Sequence, residues 1–376
     1  MKFPIIEHTI LLTIAGSRSY GMHKSDSDID LKGIAIPPID SYIGVLPNFE
    51  QVESSEAMMV YYPLLSNDEK DISDKYKLEG VIYDLRKFIR LASGSNPNIL
   101  DVLFCDDEHV RFSSKAGDII RASRDLFISA QAKHTYSGYA TAQFKRIKTH
   151  RGYLLNAPKT EPDRSEFGLS KDHCIPRAQV EASLSEINKK LDEWELDLSS
   201  IDSESDRMSI LNNIAQVLSE IMSTTDSKWK SSARNIGYGD NLIEILDKER
   251  RFRQAKNEWD KYQYWKKGRN SARAKLEEKY GYDTKHASHL VRLMRMCYEI
   301  LVDGKVNVNR KKIDADELVA IRDGSWSYDK LEEFFITMDN KCSELYNSKS
   351  YSIPHRVDMS AINALCVQLI SDKYKM

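Results

Sequence analysis
The 376-residue chain carries 55 Lys and Arg against 57 Asp and Glu, a net charge of −2, with 41% hydrophobic and 30% charged residues. This balance excludes a disordered chain, and no apolar run approaches the ~20 residues needed to cross a bilayer, so no membrane partner is expected. The near-neutral total leaves a nucleic-acid partner open, because the distribution of charge matters more than its sum.

The length allows two domains at roughly 150 residues each. Five scattered cysteines show no CxxC or Cys/His pattern, so reduced thiols and a cytoplasmic location are expected. The apolar N-terminus runs straight into a Gly-Ser turn and reads as a first core strand, not a signal peptide. Residues 9–15 and 29–36 have strand character, and Pro37-Pro38 stops the second. Residues 66–75, charged and rich in breakers, read as an exposed loop, and 78–83 as a third strand. Asp84 opens an amphipathic helix through Leu85, Phe88, Ile89 and Ala92, and Gly94-Ser95 ends it. Asn96-Pro97 starts another, with proline suited to the first turn.

From residue 123 the pattern is helical nearly throughout. Helices are expected over 125–151, 178–196, 209–222 and 285–302, the last closed by Gly304. Residues 198–206 read as a loop and 223–240 as irregular. The expected fold is an N-terminal α/β domain over 1–122, a small mixed sheet with helices, followed by a mainly α-helical domain over 123–376 that closes a cleft.

The run Gly16-Ser17-Arg18-Ser19-Tyr20-Gly21 is followed, eleven residues after Ser17, by Asp28-Ile29-Asp30. Residues two apart on a strand share a face, so Asp28 and Asp30 project side by side. Two carboxylates this close repel unless a cation lies between them, and hard oxygen donors suit Mg²⁺ or Mn²⁺. The Gly16-Ser17 turn can offer backbone N–H groups and a hydroxyl to phosphate, with Arg18 either a triphosphate partner or a solvated charge. Asp26 reads as a loop or cap residue. A third carboxylate is expected from a neighbouring strand. Glu79, which no cap role explains, is preferred; Asp84 is the alternative, already explained as a helix N-cap, and Asp101 is a further option.

The string GSRSYG…SDSDIDLKGI resembles the active-site signature of the DNA polymerase beta superfamily of nucleotidyltransferases. The downstream strings YDLRKFIRLASGSNPNILDVLF, WKKGRNSARAKLEEKYGYDTKHASHLVRLMRM and ELVAIRDGSWSY are similar to the branch associated with RNA repair. The resemblance implies transfer of NMP from an NTP (ATP among the candidates) to an acceptor hydroxyl, two Mg²⁺ or Mn²⁺ ions, and pyrophosphate release. It implies an RNA acceptor, a tRNA or broken RNA end, and RNA-repair partner enzymes. A protein or small-molecule hydroxyl, or a catalytically silent nucleotide-binding module, is the alternative.

In the helical half, His286, Leu290, Leu293, Cys297 and Ile300 make a core-facing stripe, with Lys285, His289, Arg292 and Met296 beside it. His286 reads as a buried, hydrogen-bonded histidine. The resemblance places GYDTKHASHLVRL on a wall of the substrate cleft, which assigns Lys285, His289 and Arg292 to the nucleotide or to acceptor phosphates. Arg269 and Arg273 are candidate acceptor or phosphate contacts through their two-point forks. They lie in the basic segment 248–275, whose Trp259 and Trp265 read as core anchors.

Overall fold
The structure, a computed structural model, describes residues 3–25, 27–44, 48–76, 78–171, 175–192, 225–269 and 271–375. Two compact units emerge: Met1–Leu155 with Ser271–Met376, and Asn156–Asn270.

The first unit is built on a five-stranded sheet: β1 (Thr9–Ala15), β2 (Asp30–Ala35), β3 (Gln51–Val52), β4 (Glu79–Asp84) and β5 (Val110–Ser113), in the order β3-β4-β2-β1-β5. β2 and β4 run parallel, and the other neighbours pair antiparallel. All seven residues of β1 are buried, as expected of a central strand covered on both faces. Leu12, Ile14, Leu31, Ala35 and Ile82 pack one face against Met58 and Tyr61. Ile34 belongs to the opposite core with Phe88, Leu100, Tyr136, Leu290 and Met294. Each such side chain contributes about 1.5–3 kcal/mol on burial. By strand alternation, Asp30 and Lys32 share the face of Ile34 and look toward the helices Pro97–Phe104, Ala132–Leu155 and Thr284–Asp303.

The helix Thr284–Asp303 forms as its periodicity predicts. Asp283 caps it by accepting from the His286 N–H (3.0 Å), and Gly304 ends it at φ +66. Asp84 caps the helix Leu85–Ser93, accepting from the N–H groups of Arg86 (3.1 Å) and Lys87 (3.3 Å) and from the Tyr42 hydroxyl (2.7 Å).

Three expectations are corrected. Residues 66–75 are not a loop: Ser66 and Glu69 form a capping box that starts the helix Asn67–Ser73. Glu69 is buried there in a two-point ion pair with Arg111 of β5, so its charge does not signal exposure. The helix expected from 125 begins at Ala132 and runs to Leu155, after a 3₁₀ turn Arg124–Phe127 that buries Phe127. Within 223–240, expected to be irregular, the helix Thr225–Asn235 forms because Trp229 and Ala233 anchor an otherwise polar segment.

The second unit packs that helix with Arg177–Asp192 and Asp240–Gly268 around Val180, Ile187, Trp229, Ile243 and Leu246. The loop expected over 198–206 and the helix over 209–222 lie outside the described residues. No helix among the described residues is long and apolar enough to cross a membrane.

Candidate active site
β1 ends at Ala15, and Gly16 turns the chain at φ +67, a conformation that glycine adopts without steric penalty. The reason lies across the turn. A β-carbon on Gly16 would fall 3.1 Å from Asp30 Cγ and closer still to its Oδ2. The missing side chain is therefore the space that the Asp30 carboxylate occupies. Ser19 Oγ donates to the Gly16 carbonyl (2.9 Å) and the Met22 N–H to the Ser17 carbonyl (2.8 Å), holding the turn closed.

β2 begins at Asp30, so Asp28 sits in the exposed approach two residues before the strand. Arg18 fixes that approach: Nη2 donates to the Ser27 carbonyl (2.7 Å) and Nε to the Asp28 carbonyl (3.1 Å). The guanidinium that the sequence leaves as a triphosphate partner or a solvated charge thus anchors the backbone carrying the first carboxylate. Parallel pairing sets Glu79 directly beside Asp30 on the neighbouring strand, where Glu79 is exposed. Asp84, the alternative third acid, is committed to its cap and buried.

The Asp30 carboxyl is held above its usual range, first by burial and then by the charge of Asp28, with Glu79 adding to it and Lys32 and Lys285 opposing. Like charges bearing on one half-buried site repel, and carboxylate oxygens are the donors that Mg²⁺ and Mn²⁺ prefer. The donor set therefore fits a divalent ion. The side chains are not drawn together as a closed cage. Among the described residues the groups with three ligand atoms within 4.8 Å of one another are Asp106–Glu108–His109 and His150–Glu277–Asp283.

A cavity of about 450 Å³ opens at this point, lined by Gly16, Tyr20, Asp30, Lys32, Glu79, Asn98, His289 and Arg292 among others. Arg292, only 4% exposed, lies over the Tyr20 ring, its guanidinium carbon 3.7 Å from the centroid. Burial pushes the His289 imidazole down to about 3, with Arg292 and Lys285 lowering it further. At neutral pH His289 is an uncharged hydrogen-bonding group, so it does not join its neighbours as a cation. Lys285 is exposed, and its charge is felt at Asp30 and His289. His286 is hydrogen-bonded as expected but half-buried where burial was expected: Arg146 Nη1 donates to its Nε2 (3.0 Å), leaving Nδ1–H for Asp283 Oδ2 (2.5 Å).

The sequence-selected residues Gly16, Asp30, Glu79, His289 and Arg292 thus line one cleft, with Asp28 and Lys285 acting on it electrostatically. Arg269 lies in the other unit, over the Trp265 ring at 4.5 Å, and the Arg273 side chain is outside the described residues. Lys32, Tyr20 and Asn98 escaped the sequence reading as site residues of that cleft. For Lys32 a signal existed, since it continues the alternate positions 28 and 30.

A small mixed sheet, a glycine-serine turn against the second strand's aspartate, and a helical wall meet at this cleft. Residues 6–155 match the RNA repair pathway DNA polymerase beta family, which supports a polymerase-beta-superfamily nucleotidyltransferase associated with RNA repair. The match ends before Lys285, His289 and Arg292. An uncharacterized 38.9 kDa protein in the nrdC-mobD intergenic region of Enterobacteria phage T4 is 29% identical over 139 residues, 36% of this chain. The chain spans 37% of that relative's length. No solved structure matches.

Proposed function
We propose that the protein transfers NMP from an NTP to an acceptor hydroxyl, releasing pyrophosphate, and that the acceptor is RNA. One observation carries the reading: the Asp30 carboxylate rests against the bare Gly16 turn, with the charges of Asp28 and Glu79 bearing on it. That arrangement sets divalent-cation donors beside a phosphate-accepting turn. Asp28, Asp30 and Glu79 hold the ions. When bound, two such ions activate the attacking hydroxyl and stabilise the departing pyrophosphate.

The chain's own groups do the rest. Gly16 and Ser17 receive phosphate oxygens, Arg18 fixes the position of Asp28, and Lys285, His289 and Arg292 line the opposite wall toward the nucleotide. The RNA acceptor is supported by the family match and by the helix Asp240–Gly268, where Lys261, Lys266 and Lys267 are exposed beside Tyr264, 84% exposed. A basic surface with a free aromatic suits an RNA backbone and an unstacked base.

The test is incubation with each labelled NTP, Mg²⁺ and total RNA, protein lysate or small hydroxylated molecules. Label is expected on RNA, with pyrophosphate release lost in Asp28→Asn/Asp30→Asn. Release that persists in the double variant refutes the metal assignment, and label on protein alone refutes the acceptor.

A further inference from the structure
Along β2 the face shared by Asp30 sinks from solvent into the core: Asp28 is exposed, Asp30 and Lys32 half-buried, and Ile34 fully buried. Lys32 lies about 6.6 Å beyond Asp30 on the strand. Its ammonium donates to the Asn98 carbonyl (3.1 Å) and approaches Asn98 Oδ1 (3.4 Å), at the start of the helix Pro97–Phe104. Arg292 closes the same floor from the helical side.

The Arg292 guanidinium is held without being satisfied. The Tyr20 ring lies against it, while Asp101 Oδ2, already accepting from the Tyr20 hydroxyl (2.5 Å), stands 3.9 Å from Nη1. Nη1 otherwise meets the Met296 sulfur (3.1 Å), and Nε has no hydrogen-bond partner, nor has Asp101 Oδ1. Five N–H donors oriented by a ring and a carboxylate, with so few acceptors, are costly to bury. They match the two-point geometry of a phosphate.

We infer that Lys32 and Arg292 form an anion subsite on the cleft floor, taking one terminal phosphate group, with Tyr20 and Asp101 positioning the arginine. His289, uncharged, lines the same cavity and supplies a hydrogen bond. The ligand's identity rests on the proposed function. Its phosphate comes either from the NTP or from an RNA end that bears a phosphate.

Binding is measured on the full chain in EDTA, which separates this subsite from the metal-dependent chemistry. The probes are pyrophosphate, ATP, and a short oligoribonucleotide ending in a 3′-phosphate or a 3′-hydroxyl. Lys32→Met and Arg292→Met are each expected to weaken at least one phosphate probe tenfold or more, and Lys32→Arg to restore most of the loss. Asp30→Asn, which removes a neighbouring negative charge, is expected to tighten the same probe. Weakening of ATP and pyrophosphate identifies the nucleotide as the source; weakening confined to the 3′-phosphate oligonucleotide identifies the RNA end. Folded Lys32→Met that binds every phosphate probe as wild type does overturns the subsite, whatever the outcome of the transfer assay. Absence of transfer with anion binding still Lys32-dependent overturns the proposed chemistry and leaves the subsite standing.

Discussion

Gly16→Ala is the sharpest perturbation the site offers, because it adds one methyl group at the point where turn and carboxylate meet. Two costs separate cleanly. Holding an alanine at φ +67 costs about 1–2 kcal/mol. The second cost is positional. Carbon atoms pack best at about 3.5–4.0 Å, and the new methyl would stand 3.1 Å from Asp30 Cγ and nearer to Oδ2. The carboxylate is the end of a short side chain at the cleft mouth and can withdraw, by on the order of 1 Å. A displacement of that size at a reacting centre costs about 10²-fold in rate. Gly168→Ala is the control: its φ is also +67, but a β-carbon there meets nothing closer than Lys248 Cε at 3.8 Å. Thermal unfolding should show comparable small losses of stability for both variants. Pyrophosphate release in the presence of Mg²⁺ should fall about a hundredfold in Gly16→Ala and stay near wild type in Gly168→Ala. A Gly16→Ala enzyme working within a few-fold of wild type would mean that Asp30 is not where the reaction happens.

Three further outcomes are expected. Asp30→Asn should stabilise the fold at neutral pH by about 0.5–2 kcal/mol, as relief of a strained functional group commonly does. Because the folded-state pKa of Asp30 is raised, its ionised form costs stability above that pKa, so the gain should vanish as pH falls below the ordinary carboxylate range. His289, pushed down to about 3, binds a proton more readily in the unfolded chain, so stability present at neutral pH is lost as pH falls from about 6.5 toward 3. His289→Gln should remove that share of the acid sensitivity, at most about 1.4 kcal/mol per pH unit in a Tm-versus-pH series; an unchanged slope refutes the assignment. Glu79→Gln and Asp84→Ala should split cleanly. The first should lose transfer with little change in Tm, and the second should lose about 1–2 kcal/mol of stability through its helix cap; transfer that survives in Glu79→Gln would return the third carboxylate to open question.

Much of the site was legible because its decisive features are local. A glycine that must turn at positive φ, a serine after it, alternate aspartates leading into a strand and a capped amphipathic helix from 284 to 303 all leave marks within a few residues. The cap at Asp84 was legible for the same reason, since an N-cap bonds the next two or three residues. The helix Asn67–Ser73 escaped because the burial of Glu69 depends on Arg111, a partner 42 residues away, which charge counting along the chain does not register.

The sequence by itself determined the glycine-serine turn, the acidic pair and the helix that faces them, because each is written in backbone preference and side-chain period. Only the tertiary structure decided that Glu79 stands beside Asp30, that Arg18 serves the loop carrying Asp28, and that Tyr20 and Asp101, 81 residues apart, hold Arg292 over a floor shared with Lys32. Strand pairing and buried polar contacts join residues distant along the chain, and their energies exist only once the sheet and the helical layer have closed on one another.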